Sequence, residues 1–440
     1  MAEAPKEYPI LWWTRNYDTD RYDNRLVDKC GLPYNCKMTL NHSYYDQSPL
    51  VIFTQWQLYR DEFIERDALP PKEDVLSGKK AWVLNSVEAP TWLNWNEEWV
   101  KLFTYRWTNW FKSDFVESYF TLPPSSTSLL SKVLAPPMMT LDEKNLLRHP
   151  KDSAGQKPLA PIAWIVSDCT SASGRRFYVY QLLKYIDIDI YGKCMPNRPW
   201  PVNSDGVEMK ATQIVAQYKF YLAFENNNCE DYVTEKLERA YTTGAVPIVD
   251  GPADYTRFDA TGDALVNVDD FSSPKALARH VQELDEDDEK YLHKLRYKIP
   301  KDPNHTPNIK DLARPFAQTW SHSGNYSDWG YDSRGVECGI CELTHDLAEG
   351  LIKLDGTKNI GIDKTCVFGK HRHALWIMEY YWYITLSVVL GVSLVLFILS
   401  RRPVRRFLLS VFYAITPTSW LPRRYNRLAQ ADTLPLSEQN

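Results

Sequence analysis

The sequence has no excess of basic residues and no internal repeat. Lysine and arginine number 51 against 56 aspartates and glutamates, a formal net charge of −5. This balance argues against a general nucleic-acid-binding protein, because such binding depends on positive charge facing the phosphates. With 440 residues and 44% hydrophobic content, the chain is long enough to bury two cores of ordinary size, so we expect two domains.

Residues 220–236 form the most informative stretch, reading FYLAFENNNCEDYVTEK. The apolar run at 220–224 predicts a buried strand. The helix-forming residues that follow Thr234 end at Gly244, a residue type that commonly ends helices. The apolar run at 245–249 predicts a second strand. The unit is therefore βαβ, whose loops at the carboxyl ends of the strands are the usual ligand crevice.

Prolines and apolar runs divide the residues before position 380 into segments. Seven prolines lie between Pro123 and Pro161 and interrupt any long element, so this stretch is interpreted as an interdomain connection. Further strands are predicted at 80–84, 162–166 and 186–191. The predicted segments are a first domain at 8–122, the connection at 123–158, a second domain at 159–300, a return segment with a CxxC motif at 301–345, and a stem at 346–379.

An uncharged run rich in leucine and valine occupies residues 380–399, about the length that spans a bilayer. Four arginines follow within 401–406, and such clusters favour the cytosolic side. The sequence predicts a transmembrane helix at 380–399, a cytosolic tail at 400–440 and a body across the membrane; a buried core helix is the alternative. Because the first seven residues hold no apolar signal segment, we expect these 440 residues to be a truncated form of a longer precursor.

The letters FEN at 224–226, DYVTEK at 231–236 and GAVPIV at 244–249 closely resemble the signature of the α1,3-fucosyltransferases, which move L-fucose from GDP-fucose onto a sugar hydroxyl. The resemblance extends over roughly residues 8–345. It implies an α/β fold with two Rossmann-like domains facing a cleft, the GT-B arrangement. Further similar stretches lie at 10–14, 87–90, 163–169, 173–175, 191–194, 268–274 and 338–341.

The resemblance also implies a donor site for GDP-fucose, with no tightly bound cofactor. Arg175 and Lys236 match family positions that contact the diphosphate, where a guanidinium and an ammonium offset negative charge. Glu235 would accept hydrogen bonds from ribose hydroxyls. Asn226 and Tyr232 match positions that contact the donor. Without its neighbours, Lys236 would be interpreted as a solvated helix lysine.

Transfer from GDP-fucose inverts the anomeric carbon, so the acceptor hydroxyl needs a general base. Glu88, which follows the predicted strand at 80–84, is the expected base. Ala89 stands where the family usually has serine, which leaves the hydrogen bonding of this loop open. Glu225 is the rival base, and a surface role is the other alternative for Glu88.

No metal site is predicted. Asp187-Ile-Asp189 looks like the DxD metal motif of other glycosyltransferases, but the alternating isoleucines around it favour a strand end. A divalent cation is expected at most to stimulate the reaction.

In the resembling family, two amino-terminal cysteines are bridged to a carboxy-terminal CxxC. This implies disulfides that join Cys30 and Cys36 to Cys338 and Cys341. A four-cysteine zinc site is the alternative for these residues.

A third disulfide is expected between Cys194 and Cys229, which would leave Cys169 and Cys366 without a partner. Three triplets match the N-glycosylation acceptor pattern, which adds weak support for the secretory pathway. These acceptors are Asn41, Asn304 and Asn325.

The resemblance, together with the predicted membrane helix, implies a Golgi membrane enzyme with a lumenal body that transfers fucose to the 3-hydroxyl of a GlcNAc in a glycoprotein glycan. The N-glycan core is favoured because the residues around Cys229 look most similar to family members that fucosylate its innermost GlcNAc. A Lewis-type glycan or a protein hydroxyl is the alternative acceptor. A non-catalytic lectin-like or adaptor protein on the same fold is the alternative of another class. The aromatic residues within 92–111 fit stacking on acceptor sugars and core packing equally well. The oligomeric state does not follow from the sequence.

Overall fold

The computed structural model of the chain forms two compact units, residues 1–376 and 377–440. Its described residues are 5–14, 22–55, 69–92, 98–119, 129–149, 158–169, 171–298, 312–316, 333–354, 365–366, 381–401, 406–408 and 410–411. The first unit is an α/β structure built around two mainly parallel sheets.

The first sheet has the strand order β2-β3-β1-β4-β5-β6-β7 among the described residues. Only β2 runs antiparallel to its neighbour, so the carboxyl ends of β1, β4, β5 and β6 lie at one edge. The strand predicted at 80–84 is present as β5, which begins one residue later and ends two residues later than expected. The strands are β1 Glu7–Trp12, β2 Arg25–Val27, β3 Asn35–Thr39, β4 Leu50–Thr54, β5 Ala81–Ser86, β6 Tyr105–Thr108 and β7 Phe115–Val116.

The second sheet is wholly parallel, with the order β12-β11-β10-β8-β9. From β8 the chain continues to β9 on one side of the sheet, and from β10 it continues to β11 on the other side. The strand order therefore reverses between β8 and β10. Such a switch point opens a crevice at the carboxyl ends of the two strands. The strands are β8 Ile162–Val166, β9 Ile188–Gly192, β10 Phe220–Phe224, β11 Val246–Asp250 and β12 Val266–Asn267.

Ten α-helices fall within the described residues. They are α1 Lys72–Leu76, α2 Leu129–Leu134, α3 Leu141–Arg148, α4 Arg175–Leu182, α5 Ala211–Val215, α6 Glu235–Thr243, α7 Pro274–Glu286, α8 Asp288–Lys294, α9 Ser333–Ala348 and α10 Tyr381–Ser400. Short 3₁₀ helices occupy His42–Gln47, Pro90–Trp92, Glu98–Leu102 and Val268–Asp270.

The predicted βαβ unit is present as β10, α6 and β11. Every residue of Phe220–Phe224 is buried, as expected for a central parallel strand. Helix α6 ends at Gly244, whose φ of 77° lies in the left-handed region that glycine adopts without strain. A Cβ there would lie 2.5 Å from Cβ of Pro137, so close packing also requires glycine.

Two disulfides join the first sheet to α9. Cys30 pairs with Cys338 and Cys36 with Cys341, with Cα atoms 5.5 and 5.6 Å apart. The CxxC motif therefore pairs with the amino-terminal cysteines as expected. Because all four cysteines are in disulfides, they are not free to form the alternative zinc site.

The expected disulfide between Cys194 and Cys229 is wrong. Cys194 pairs with Cys169 and Cys229 pairs with Cys366. Cys169 and Cys194 follow β8 and β9, which are neighbouring strands ending at the same edge. Cys229 follows β10, and β8 lies between β10 and β9. The sheet order thus separates the two cysteines that the sequence suggested as partners.

The expectation of a transmembrane helix at 380–399 also needs correction. A helix is present there as α10, but no helix in the described part of the chain is long and apolar enough to cross a membrane.

Candidate active site

The switch point of the second sheet brings Arg175 and Lys236 to one crevice. Arg175 begins α4, which follows β8, and Lys236 lies in the first turn of α6, which follows β10. The two cations therefore approach the same edge from the two strands that flank the crevice. This placement suits a ligand that carries several negative charges, because helix amino-terminal ends also favour anions.

The Arg175 side chain is only 4% exposed. Its guanidinium donates to the carbonyl oxygens of Phe224, the last residue of β10, at 2.8 Å and of Asp168, two residues after β8, at 3.4 Å. Arg175 Nε is buried and makes no hydrogen bond within the described residues. Burial lowers the pKa of Arg175, while the nearby Glu225 and Asp168 carboxylates oppose that effect.

Lys236 and Glu225 form a buried pair. Lys236 Nζ lies 3.0 Å from Glu225 Oε2 and 2.7 Å from Thr234 Oγ1. Glu225 also accepts from the Thr234 backbone N–H at 2.8 Å. Burial raises the pKa of Glu225. Burial acts to lower the pKa of Lys236, but Glu225 and Glu235 outweigh it and raise that pKa.

Glu225 is 1% exposed and its carboxylate is occupied by groups of its own domain. Because a general base must come within hydrogen-bond reach of the proton that it removes, these contacts favour Glu88 over Glu225 as the base, and the assignment stays a prediction.

Asn226 and Glu235 lie at the same edge. Asn226 follows Glu225, its carbonyl accepts from the Ser173 N–H at 3.0 Å, and its buried Oδ1 makes no hydrogen bond among the described residues. Glu235 has a side chain that is 49% exposed, 3.4 Å from Lys236 Nζ. Burial acts to raise the pKa of Glu235, but Lys236 and Arg239 lower it overall. An ionised, accessible carboxylate is suited to accept hydrogen bonds from a sugar diol.

Glu88 follows β5 at the carboxyl edge of the first sheet, in a loop held by its backbone. The carbonyl oxygens of residues 87–89 accept hydrogen bonds from Asn109 Nδ2, Ser86 Oγ and Gln55 Nε2, at 2.8, 3.1 and 3.0 Å respectively. Each donor is a side chain from another position of the same domain. The loop is therefore fixed without a hydroxyl at position 89.

The Glu88 side chain contacts two tyrosines. Tyr119 donates its hydroxyl to Glu88 Oε1 at 2.8 Å, and Tyr232 donates to Glu88 Oε2 at 2.9 Å. Burial, together with the Glu88 charge, raises the pKa of Tyr232 well above its usual value, so this phenol remains a proton donor. The structure thus brings Tyr232 to the expected base rather than only to the donor crevice. Tyr119 was missed because no sequence motif marks it.

Ala89 faces an apolar cluster. It is fully buried against Cys229 and Tyr232, and Tyr119 and Cys366 pack on the same cluster. A serine hydroxyl here would need a hydrogen-bond partner inside this cluster. The departure from the family serine is therefore consistent with the packing and is not evidence for a silent protein.

Hydrogen bonds between the first domain and residues 227–232, here called the donor loop, fix the two sheets beside each other. Thr91 Oγ1 donates to Asn227 Oδ1 at 2.8 Å and the Phe111 N–H donates to Asp231 Oδ2 at 2.9 Å. With the bond from Tyr232 to Glu88, these contacts place the expected base next to the donor domain.

The aromatic residues that suited acceptor stacking are largely structural where they are described. Trp107 is fully buried and packs against Trp12. Phe111 lies against Phe258 of the second domain, under the Arg257 guanidinium. Trp92 has no described side chain, so its role stays a prediction.

The two aspartates of the Asp-Ile-Asp sequence lie in different environments. Asp189 lies inside β9, where it is paired with Arg198 at 2.7 Å and accepts from Tyr218 at 2.9 Å. Asp187 precedes the strand and is exposed. Within the described residues, no group of three or more His, Cys, Asp or Glu side chains is arranged to hold a metal ion.

One of the three predicted glycosylation acceptors lies within the described residues. Asn41 is exposed and its side chain caps the 3₁₀ helix that follows it. Asn304 and Asn325 lie outside the described residues. Modification at all three stays a prediction.

Comparisons with known proteins agree on one family. The carboxy-terminal profile of glycosyltransferase family 10 (fucosyltransferase) matches residues 156–313, which contain the donor crevice. The chain is 31% identical over 349 residues to a "GDP-fucose protein O-fucosyltransferase 3" of Xenopus tropicalis, covering 76% of this chain and 66% of that protein. It is 33% identical over 292 residues to a "4-galactosyl-N-acetylglucosaminide 3-alpha-L-fucosyltransferase FUT5" of Gorilla gorilla gorilla, covering 66% and 69%.

A crystal structure of an alpha1,3-fucosyltransferase is similar at 18% sequence identity, with a TM-score of 0.46, covering 79% of this chain and 92% of that chain. The chain spans about two thirds of the length of the curated relatives that it matches. From the family profile and from relatives that exceed 30% identity over most of the body, the chain belongs to glycosyltransferase family 10, the fucosyltransferases.

Proposed function

We propose that this chain transfers L-fucose from GDP-fucose to a hydroxyl group on a protein. The relatives named as GDP-fucose protein O-fucosyltransferases support this acceptor class, since their similarity extends over more of the chain than that of the glycan-modifying relative. The acceptor favoured from sequence alone, a GlcNAc of the N-glycan core, thereby becomes the second candidate.

The observation that carries the proposal is the position of Glu88. Its carboxylate lies at the boundary of the two domains, bonded to Tyr232 of the donor loop, while the cations that suit a diphosphate line the crevice of the second sheet. A base on one side and cations on the other are what an inverting displacement requires.

The reaction follows from these positions. Glu88 accepts the proton of the acceptor hydroxyl as its oxygen bonds to C1 of fucose. The bond between C1 and the phosphate oxygen breaks, and its electron pair leaves with GDP. Arg175 and Lys236 offset the charge that grows on the departing diphosphate. Tyr232 keeps the base and the donor loop together.

Four disulfides support an oxidising compartment, because cytosolic conditions keep thiols reduced. We propose that the catalytic body works in the lumen of the secretory pathway, where proteins with exposed hydroxyl acceptors are available.

The acceptor class is tested with radiolabelled GDP-fucose and a mixture of secreted glycoproteins. We expect label that survives an N-glycanase tolerant of core fucose but is released by alkaline β-elimination. Release by the N-glycanase would favour the second candidate. If the wild-type protein gives neither transfer nor GDP above the background of Glu88→Gln, the proposed transferase activity is wrong. That outcome would favour the non-catalytic alternative.

A further inference from the structure

Tyr119 and Glu88 form a hydrogen bond within the first domain. Tyr119 lies three residues after β7 and donates to Glu88 Oε1, while Tyr232 holds the other carboxylate oxygen from the second domain. Each oxygen of the expected base therefore has its own phenolic donor. We propose that Tyr119 is a positioning residue that holds the Glu88 carboxylate in one orientation; this inference rests on the proposed function.

Two features keep Tyr119 in place. Its ring packs on the cluster of Ala89, Cys229 and Tyr232. Two residues earlier, Glu117 accepts from the buried Trp107 Nε1 at 2.7 Å, which anchors the segment to the first sheet. A donor fixed by packing loses little side-chain entropy when it forms its hydrogen bond. The phenol is therefore available at a constant distance from the base.

The two tyrosines reach the base from different sheets. Tyr119 and Glu88 both follow strands of the first sheet, whereas Tyr232 belongs to the donor loop. The ring of Tyr119 also packs on Cys229 and Tyr232. Tyr119 thus orients the base from its own sheet, and Tyr232 links that base to the donor loop.

A hydrogen bond to Oε1 fixes the rotation of the Glu88 carboxylate. A general base acts only when its oxygen lies within hydrogen-bond reach of the proton that it removes. Removing the Tyr119 hydroxyl should therefore misorient the base while the donor site stays intact. The consequence is a lower kcat with unchanged GDP affinity, whereas a purely structural defect would also weaken GDP binding or lower the melting temperature.

The test compares Tyr119→Phe with Tyr45→Phe. Tyr45 also donates its hydroxyl to a carboxylate of the first domain, Asp74 at 2.9 Å, and so is a matched control. For Tyr119→Phe we expect kcat to fall on the order of ten-fold, with the KM for GDP-fucose and the melting temperature close to those of the wild type. GDP affinity should stay within about two-fold of the wild type. Tyr45→Phe should leave kcat and KM unchanged.

Incorporating a fluorinated tyrosine at position 119 provides a second variant that retains the packing. Its hydroxyl can still donate to Glu88 Oε1, so this variant should retain most of the wild-type kcat. A wild-type kcat in Tyr119→Phe, or an equal loss of kcat in both variants, would overturn the positioning role. Wild-type protein without any transfer would overturn the proposed function as well, so the two failures are distinguishable.

Discussion

The hydroxyl of Tyr232 donates a 2.9 Å hydrogen bond to Glu88 Oε2 across 144 positions of the chain. Tyr232 belongs to the donor loop of the second sheet and Glu88 to the carboxyl edge of the first. One bond thus joins the residue that should remove the acceptor proton to the loop that should meet the donor. We therefore expect the position of the base and the binding of the donor to be linked through this bond, and the variants below separate their contributions.

Glu88→Gln keeps the shape of the side chain but removes its basicity. Transfer should collapse by roughly two to four orders of magnitude, as expected for loss of a general base, while GDP affinity remains close to that of the wild type. Transfer kinetics and GDP titration by calorimetry provide the two readouts.

The matched comparison is Glu225→Gln. Glu225 is buried against Lys236 and Thr234, so this change should lower the melting temperature and weaken GDP binding. Normal stability and GDP binding of Glu225→Gln with abolished transfer, beside an active Glu88→Gln, would exchange the roles assigned to these residues.

Lys236→Ala removes a cation from the donor crevice. Such contacts are worth about 2–4 kcal/mol in the transition state, so turnover should fall by roughly two to three orders of magnitude. GDP should bind more weakly too. Lys184→Ala, which removes an exposed lysine of the same domain, is the control and should change neither quantity. Near-normal activity in a correctly folded Lys236→Ala protein would remove the assignment of the donor site.

Local sequence predicted the second sheet well because its strands are continuous apolar runs. Phe220–Phe224 and Ile162–Val166 have the predicted bounds, and the helix between β10 and β11 ends at Gly244 as expected. The resemblance also identified the residues now found at the crevice. These features depend on periodicity and on motifs that are contiguous in the chain.

Long-range contacts were not predictable in the same way. Tyr119 has no motif, and its meeting with Glu88 depends on how β7 is placed at the end of the first sheet. The pairing of Cys194 depended on the strand order, which separates it from Cys229. The role of Ala89 became clear only from the apolar cluster that surrounds it.

Non-reducing peptide mapping should give the pairs Cys30 with Cys338, Cys36 with Cys341, Cys169 with Cys194, and Cys229 with Cys366. The last pair holds residues 365–366 against the donor loop, where the Glu230 N–H also donates to the Thr365 carbonyl at 2.7 Å. A peptide joining Cys194 to Cys229, or stoichiometric zinc on the purified protein, would contradict the structure.

Endoglycosidase treatment of the protein from its native source tests the proposed compartment. If the body is lumenal, the exposed Asn41 should carry a glycan and removal of that glycan should increase gel mobility. For Asn41→Gln, endoglycosidase treatment should produce a smaller change in gel mobility than for the wild type. An unchanged mobility together with free thiols would place the body in a reducing compartment and contradict the proposal.

The last prediction concerns two buried lysines, Lys144 in α3 and Lys298 shortly after α8. Lys144 Nζ donates to the Gly244 carbonyl at the end of α6, and Lys298 Nζ donates to the Val133 carbonyl at 2.7 Å. Burial lowers the pKa of Lys144 to about 7, with the charges of Lys219 and Lys298 acting in the same direction. Burial alone lowers the pKa of Lys298 to about 7.

Above about pH 7 these two lysines are neutral in the folded protein, yet after unfolding they remain protonated up to their usual pKa of 10.5. Unfolding therefore takes up protons in this window, so their contribution to stability rises with pH from about 7 toward 10.5 and is lost as pH falls to about 7. Lys144→Met should flatten the rise in unfolding free energy between about pH 7 and 9, measured by urea titration at several pH values. Lys275→Met, at an exposed position, should keep the wild-type slope. An identical pH dependence in wild type and Lys144→Met would show that this lysine stays charged in the folded state, and the pKa assigned to it would then be wrong.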